Sequence, residues 1–159
     1  MSFGRLAGRR IKWMLLPVII VFCLISFSWL GGLKCYSVVS GSMNPSVPVG
    51  SAIFIKARPP GEIRNGEIIT YCMGQGKTVI THRVVENNKK KRQFITKGDA
   101  NNSPDPKPVN WENLQGQVVF CVPFAGYVLN FLGTRNGKLA AVFLLLACYL
   151  ATEIFEGKI

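Results

Sequence analysis

The feature that most limits how this chain can fold is residues 13–33, WMLLPVIIVFCLISFSWLGGL, a run of 21 residues without a charge. At a rise of about 1.5 Å per residue, a helix of that length reaches roughly 31 Å, close to the hydrocarbon thickness of a bilayer. It is read as a membrane-spanning helix, which leaves a 159-residue chain room for one small water-exposed domain. Before the run stand Arg5, Arg9, Arg10 and Lys12 with no acid, and beyond it only Lys34 lies close. The positive-inside rule therefore puts residues 1–12 in the cytosol and the domain after the helix outside it. A cleaved signal peptide has the same basic-then-apolar order, but its apolar part is about 7–15 residues and ends at a small-residue site. Here the run is longer and SWLGGLKC offers no such site, so an uncleaved anchor fits better.

The net charge of +11, from 19 basic and 8 acidic residues, points to nucleic acid or an anionic membrane surface as a neighbour. For an exported, anchored domain the neighbour is lipid, and no nucleic-acid partner is expected. Five cysteines show no C-x-x-C spacing, which argues against a zinc site. Cys23 and Cys148 fall inside apolar runs, and a disulfide among Cys35, Cys72 and Cys121 is left open.

Between residues 51 and 122 the chain alternates short β-rich runs with turn residues: SAIFIKA, EIITYCM, KTVITHRVVE, QFITKGD and QVVFCV. This pattern predicts a mainly β fold, a small antiparallel β domain over 34–137. GQG at 74–76 and NNKKKR at 87–92 read as hairpin turns, the second either simply solvated or touching anionic head groups at about 1 kcal/mol per cation. VPFAGYVLNFLG is apolar but interrupted by Pro123, Gly126 and Asn130, and reads as an interfacial or core segment. Residues 138–155 contain LAAVFLLLACYLAT, short for a span, yet Lys138 and Glu153 can snorkel at its ends. A second transmembrane helix there would return the tail, 156–159, to the cytosol.

The chain's single histidine, His82, simplifies the search for a base that works near neutral pH. On a strand, Thr78, Ile80, His82, Val84 and Glu86 share one face, so His82 sits between β-branched apolar neighbours. Alone it would read as a satisfied core histidine. Its company changes that reading, because a nucleophilic serine needs a base and the base needs an orienting partner. Ser40 and Ser42 bracket Gly41, where a tight backbone and a serine hydroxyl make a natural oxyanion site. KGDANNSPDP supplies Asp99 and Asp105 in a loop after a strand, a usual place for working residues. SGS by itself is more often a linker, and GD or PD more often a turn.

Taken together, these stretches resemble the boxes of type I signal peptidases. SGSMNPSVPVGS is similar to the family's Ser-x-Ser-Met-x-Pro nucleophile box, ITHRVV to its base-bearing strand and TKGDANNSPDP to its Gly-Asp-Asn box, in the family's order. The resemblance runs from the anchor to GQVVFCVPFAGYVLNFL. Histidine stands where one branch carries lysine, so the chain resembles the endoplasmic-reticulum and archaeal branch, also found in some Gram-positive bacteria. The resemblance implies a serine endopeptidase with Ser42 as nucleophile and His82 as general base. The Ser42 N–H and Ser40 hydroxyl become oxyanion donors, Asp105 the partner of His82, and Asp99 a support of the loop. Ala100 replaces the expected Asn and Ser46 the common Thr. Lys77 and Lys97 are alternative bases in principle, but Lys77 lies an odd number of residues from His82 and so falls on the other strand face.

The implied reaction removes signal peptides from exported precursor proteins at an integral membrane site of the cell or endoplasmic reticulum, and needs no metal or organic cofactor. Accessory subunits are left open. Only eight residues separate Lys34 from Ser42, so at about 3.3 Å each the nucleophile lies within roughly 26 Å of the anchor's end, where anchored precursors would present their cleavage site. The rival readings are a non-catalytic membrane-anchored β scaffold and a self-cleaving regulatory protease of related fold.

Overall fold

A computed structural model describes residues 32–73 and 78–156. Nearly all of the expected N-terminal anchor, the GQG turn and the last three residues lie outside the described residues. The chain divides into two compact units, one of them residues 32–129, while residues from Asn130 onward belong to the other.

The first unit is built on one antiparallel sheet of seven strands, which accords with the mainly β expectation. They are β1 (Leu33–Ser37), β2 (Ala52–Lys56), β3 (Ile68–Met73), β4 (Thr78–Asn88), β5 (Gln93–Lys97), β6 (Val109–Asn110) and β7 (Leu114–Val122), in the order β1-β2-β7-β3-β4-β5-β6. Two short 3-10 turns, Pro60–Glu62 and Trp111–Asn113, precede β3 and β7. β1 and β6 have no counterpart in the sequence reading. β1 begins at Leu33, the last residue of the uncharged run, and is only five residues long, and β6 is only two residues long, too short to show periodicity.

The sheet carries two apolar clusters. Ile63, Ile69, Tyr71, Val84, Phe94 and Val109 form one, with Ile80, Trp111 and Leu114 against it. Met43, Val47, Ile53 and Ile55 form the other, supported by Tyr36, Val38, Ile68, Val118 and Cys121. β3 is central in the sheet and serves both clusters, which is why EIITYC reads as a nearly continuous apolar run rather than an alternating one. Where β7 crosses between β2 and β3, a Cβ on Gly116 would lie 2.6 Å from the Lys56 carbonyl oxygen, so the close strand approach needs glycine.

Strict alternation on β4 fails at one place. The β4–β5 register slips between Val84 and Glu86, and Val85 and Glu86 are both exposed, so Glu86 leaves the face it was expected to share with His82. The hairpin turn is also shorter than expected. Asn87 belongs to β4, and its amide donates to the Pro60 and Ile63 carbonyls while its oxygen accepts from Trp111 Nε1. Of the turn's cations, Arg92 lies 5.7 Å from the centre of the Trp111 ring. Cys35, Cys72 and Cys121 are free thiols, which closes the disulfide question left open by their spacing.

After β7 comes helix α1 (Ala125–Gly133), within the segment expected to be interfacial or core, with Tyr127, Val128 and Phe131 exposed. Helix α2 (Arg135–Glu156) starts at Arg135 because the Thr134 hydroxyl accepts a hydrogen bond from the Gly137 N–H, an N-cap. Its side chains Leu139, Val142, Phe143, Leu144 and Leu146 are more than half exposed. Among the described residues no single helix is long and apolar enough to cross a membrane, while α1 and α2 taken as a broken pair are.

Candidate active site

The loop from β1 to β2 is fixed by its own sequence. Val38 N–H donates to Ser51 O and Gly50 N–H to Val38 O, closing the loop at its base. Inside it, Met43 and Val47 are almost fully buried in the second apolar cluster, and Val47 N–H donates to Met43 O. Burying the two side chains favours this geometry by about 1.5–3 kcal/mol each. Ser42 therefore sits between a glycine and a buried anchor, and the apparent linker is a held turn.

Behind Ser42 lies the loop after β5. Ala100 N–H donates to the Ser42 carbonyl at 2.9 Å, and a Cβ on Gly98 would stand 2.6 Å from that same oxygen. The Gly-Asp loop thus touches the backbone of Ser42 itself, and glycine is required at 98 for the approach.

β4 brings His82 in from the third side. The His82 side chain is 11% exposed. Ser42 Oγ lies 3.2 Å from Nε2, and Nδ1 lies 2.6 Å from Asp105 Oδ2. An ionised carboxylate only accepts, so Nδ1 carries the proton and Nε2 is left to accept from the serine hydroxyl. Ser40 Oγ is 3.5 Å from Ser42 Oγ. The arrangement is able to transfer a proton from Ser42 to His82 while the carboxylate steadies the imidazolium that forms.

The two aspartates part company. Asp99 does not approach His82 by hydrogen bond; it takes a two-pronged pair from Arg83, Nε to Oδ1 at 2.8 Å and Nη2 to Oδ2 at 2.6 Å. The hydrogen bonds from Arg83 hold the Asp99 carboxyl below the ordinary carboxylate range, against a smaller opposing effect of burial. The same guanidinium donates to Ser46 Oγ at 3.2 Å and to the Gly66 carbonyl at 2.7 Å. Arg83 was missed in the sequence reading, although a cation directly after the base and an acid in the Gly-Asp loop were both visible.

No family model matches the chain. Among curated proteins it is similar to signal peptidase I W of Bacillus subtilis (strain 168), 39% identical over 89 residues, which are 54% of this chain and 46% of the relative. It is 35% identical over 102 residues to the signal peptidase complex catalytic subunit sec11 of Sclerotinia sclerotiorum, covering 57% of this chain and 59% of that protein. It is 31% identical over 101 residues to the SEC11C catalytic subunit of Canis lupus familiaris, covering 57% and 53%. The chain thus spans about half the length of the curated relatives it matches. Over that shared half, the chain is similar to proteins named as signal peptidase I and as signal peptidase catalytic subunits.

Proposed function

We propose that this protein is a membrane-bound serine endopeptidase that removes signal peptides from exported precursors. The observation that carries the reading is the chain of contacts from Ser42 Oγ through the His82 ring to Asp105, at 3.2 and 2.6 Å. His82 Nε2 takes the Ser42 proton as Oγ attacks the scissile carbonyl. The imidazolium, paired with Asp105, then protonates the leaving amine, and a water repeats the cycle on the acyl-enzyme. Charge on the tetrahedral oxygen falls to the Ser42 N–H and the Ser40 hydroxyl. Asp99 acts at one remove, through Arg83, on the loop that carries both Ser42 and Ser46.

Residues 13–33 anchor the domain outside the cytosol, and 138–155, which within α2 are not long and apolar enough to cross alone, supply a second contact with the membrane. The exposed apolar side chains of α2 support its contact with lipid. The substrates are precursors whose own apolar segment holds the cleavage site at the membrane edge, with lipid as the other partner. The names of the relatives that are subunits of a signal peptidase complex support a search for accessory subunits.

The test is reconstitution of the full chain in membranes with labelled precursors. Ser42→Ala and His82→Ala are each expected to abolish processing while the protein stays in the membrane. Cleavage at near wild-type rate by His82→Ala would show the Ser-His assignment to be wrong.

A further inference from the structure

The mechanism uses one oxygen of Asp105, and that oxygen has two neighbours which the proposed chemistry does not employ. Thr96 Oγ1 donates to Asp105 Oδ2 at 2.6 Å, as short as the bond from His82, and Tyr71 OH donates to it at 3.3 Å. The two hydroxyls are themselves 3.4 Å apart. Thr96, on β5, is fully buried, and Tyr71, on β3, is 1% exposed and meets the His82 ring edge to face at 6.5 Å. Asp105 N–H also donates to the Thr96 carbonyl at 2.8 Å, so Thr96 grips the aspartate from both its backbone and its side chain.

We infer that Thr96 and Tyr71 are positioning residues that hold the Asp105 carboxylate and share its charge with His82. The inference rests on the proposed reaction. A buried hydroxyl could satisfy itself on any nearby carbonyl, yet both of these converge on the one carboxylate oxygen that faces the histidine. With three donors on Oδ2, the carboxylate is fixed in rotation and its pull on the imidazolium is diluted. Burial pushes the Tyr71 phenol up to about 12, so it stays a donor across the working range of such an enzyme. The titratable groups near His82 are Tyr71 on β3 and Asp99 and Asp105 in the loop after β5, with Arg83 next to it along β4.

The experiment is the pH profile of kcat/KM for the full chain in detergent micelles, with a labelled signal-peptide precursor, for wild type, Thr96→Val, Thr96→Ser and Tyr71→Phe. Removing the Thr96 donor leaves Asp105 to interact more strongly with protonated His82. The acid limb of Thr96→Val is expected to move upward by about half a pH unit, with kcat about tenfold lower. Thr96→Ser keeps the hydroxyl and restores both, and Tyr71→Phe moves the limb less because its contact is longer. Activity lost with the limb unmoved, or lost equally in Thr96→Ser, assigns Thr96 a packing role and overturns the inference. If Thr96→Val does not fold, Tyr71→Phe decides on the same limb, an unmoved limb overturning the inference. Wild type showing no Ser42-dependent cleavage overturns the proposed reaction instead, which separates the two failures.

Discussion

Arg83→Lys is a substitution that keeps the charge and removes the fork. In the native protein one guanidinium joins four segments: its own strand, Asp99 in the loop after β5, Ser46 in the loop that carries Ser42, and the carbonyl of Gly66 before β3. A lysine amine cannot reach Asp99 with two parallel bonds and also serve Ser46 and Gly66. Breaking a fully buried pair costs about 3–5 kcal/mol, but here the side chains are 35% and 15% exposed, so solvent screening brings the expectation to about 2 kcal/mol. For a unit of this size that is a fall of roughly 8–15 °C in Tm. Thermal unfolding in detergent of wild type, Arg83→Lys, Asp99→Asn and the double variant gives the cycle. The double variant should lose less than the sum of the single losses, by about 1 kcal/mol or more. Strictly additive losses, or an Arg83→Lys Tm within about 2 °C of wild type, would refute the view that one guanidinium clamps the site loops together.

Three further outcomes follow from the same geometry. Gly98→Ala forces a methyl toward the Ser42 carbonyl, 2.6 Å away, so precursor cleavage should drop at least tenfold, with a smaller effect on Tm than Arg83→Lys; unchanged kcat/KM would show that the loop yields. In a cleavage assay, Asp105→Asn should lose far more kcat than Asp99→Asn, because only Asp105 bonds to the His82 ring; equal and small effects would mean a Ser-His dyad. Because the Asp99 carboxyl is held below its unfolded value, its contribution to stability is present above about pH 4 and lost as pH falls through the lower folded value. An acid titration of unfolding should therefore show a loss below about pH 4 that is missing in Asp99→Asn.

Much of the sheet could be read from residue type. β2, β3 and β5 lie within the alternating or continuous apolar runs that predict them, and β4 and β7 overlap theirs but run on to Asn88 and back to Leu114, because burial against a sheet face selects those residues locally. What could not be read was pairing. The slip at Val84 to Glu86 depends on how β5 sits against β4, and β1 becomes a strand because β2 offers it an edge from Leu33 to Ser37. In the candidate site, the serine loop was legible as a motif but not as a held structure, since Met43 and Val47 are anchored by Ile53 and Ile55 from β2. Thr96 looked like an ordinary strand residue, and its bond to Asp105 depends on the loop folding back across nine positions.

By itself the sequence determined the residue types available for chemistry: one histidine, two serines around a glycine, two aspartates in one loop, and an order that resembles a known set of boxes. The resemblance pointed to Asp105 as the partner of His82, but the residue types alone did not separate the two aspartates, and which neighbour each one meets is a matter of tertiary structure. Asp105 lies 2.6 Å from His82 while Asp99, only six residues earlier, is turned to Arg83. The reason is physical: hydrophobic patterning is a property of neighbours along the chain, whereas which carboxylate meets which cation or ring is set by strand register and loop course between residues 16 to 40 positions apart.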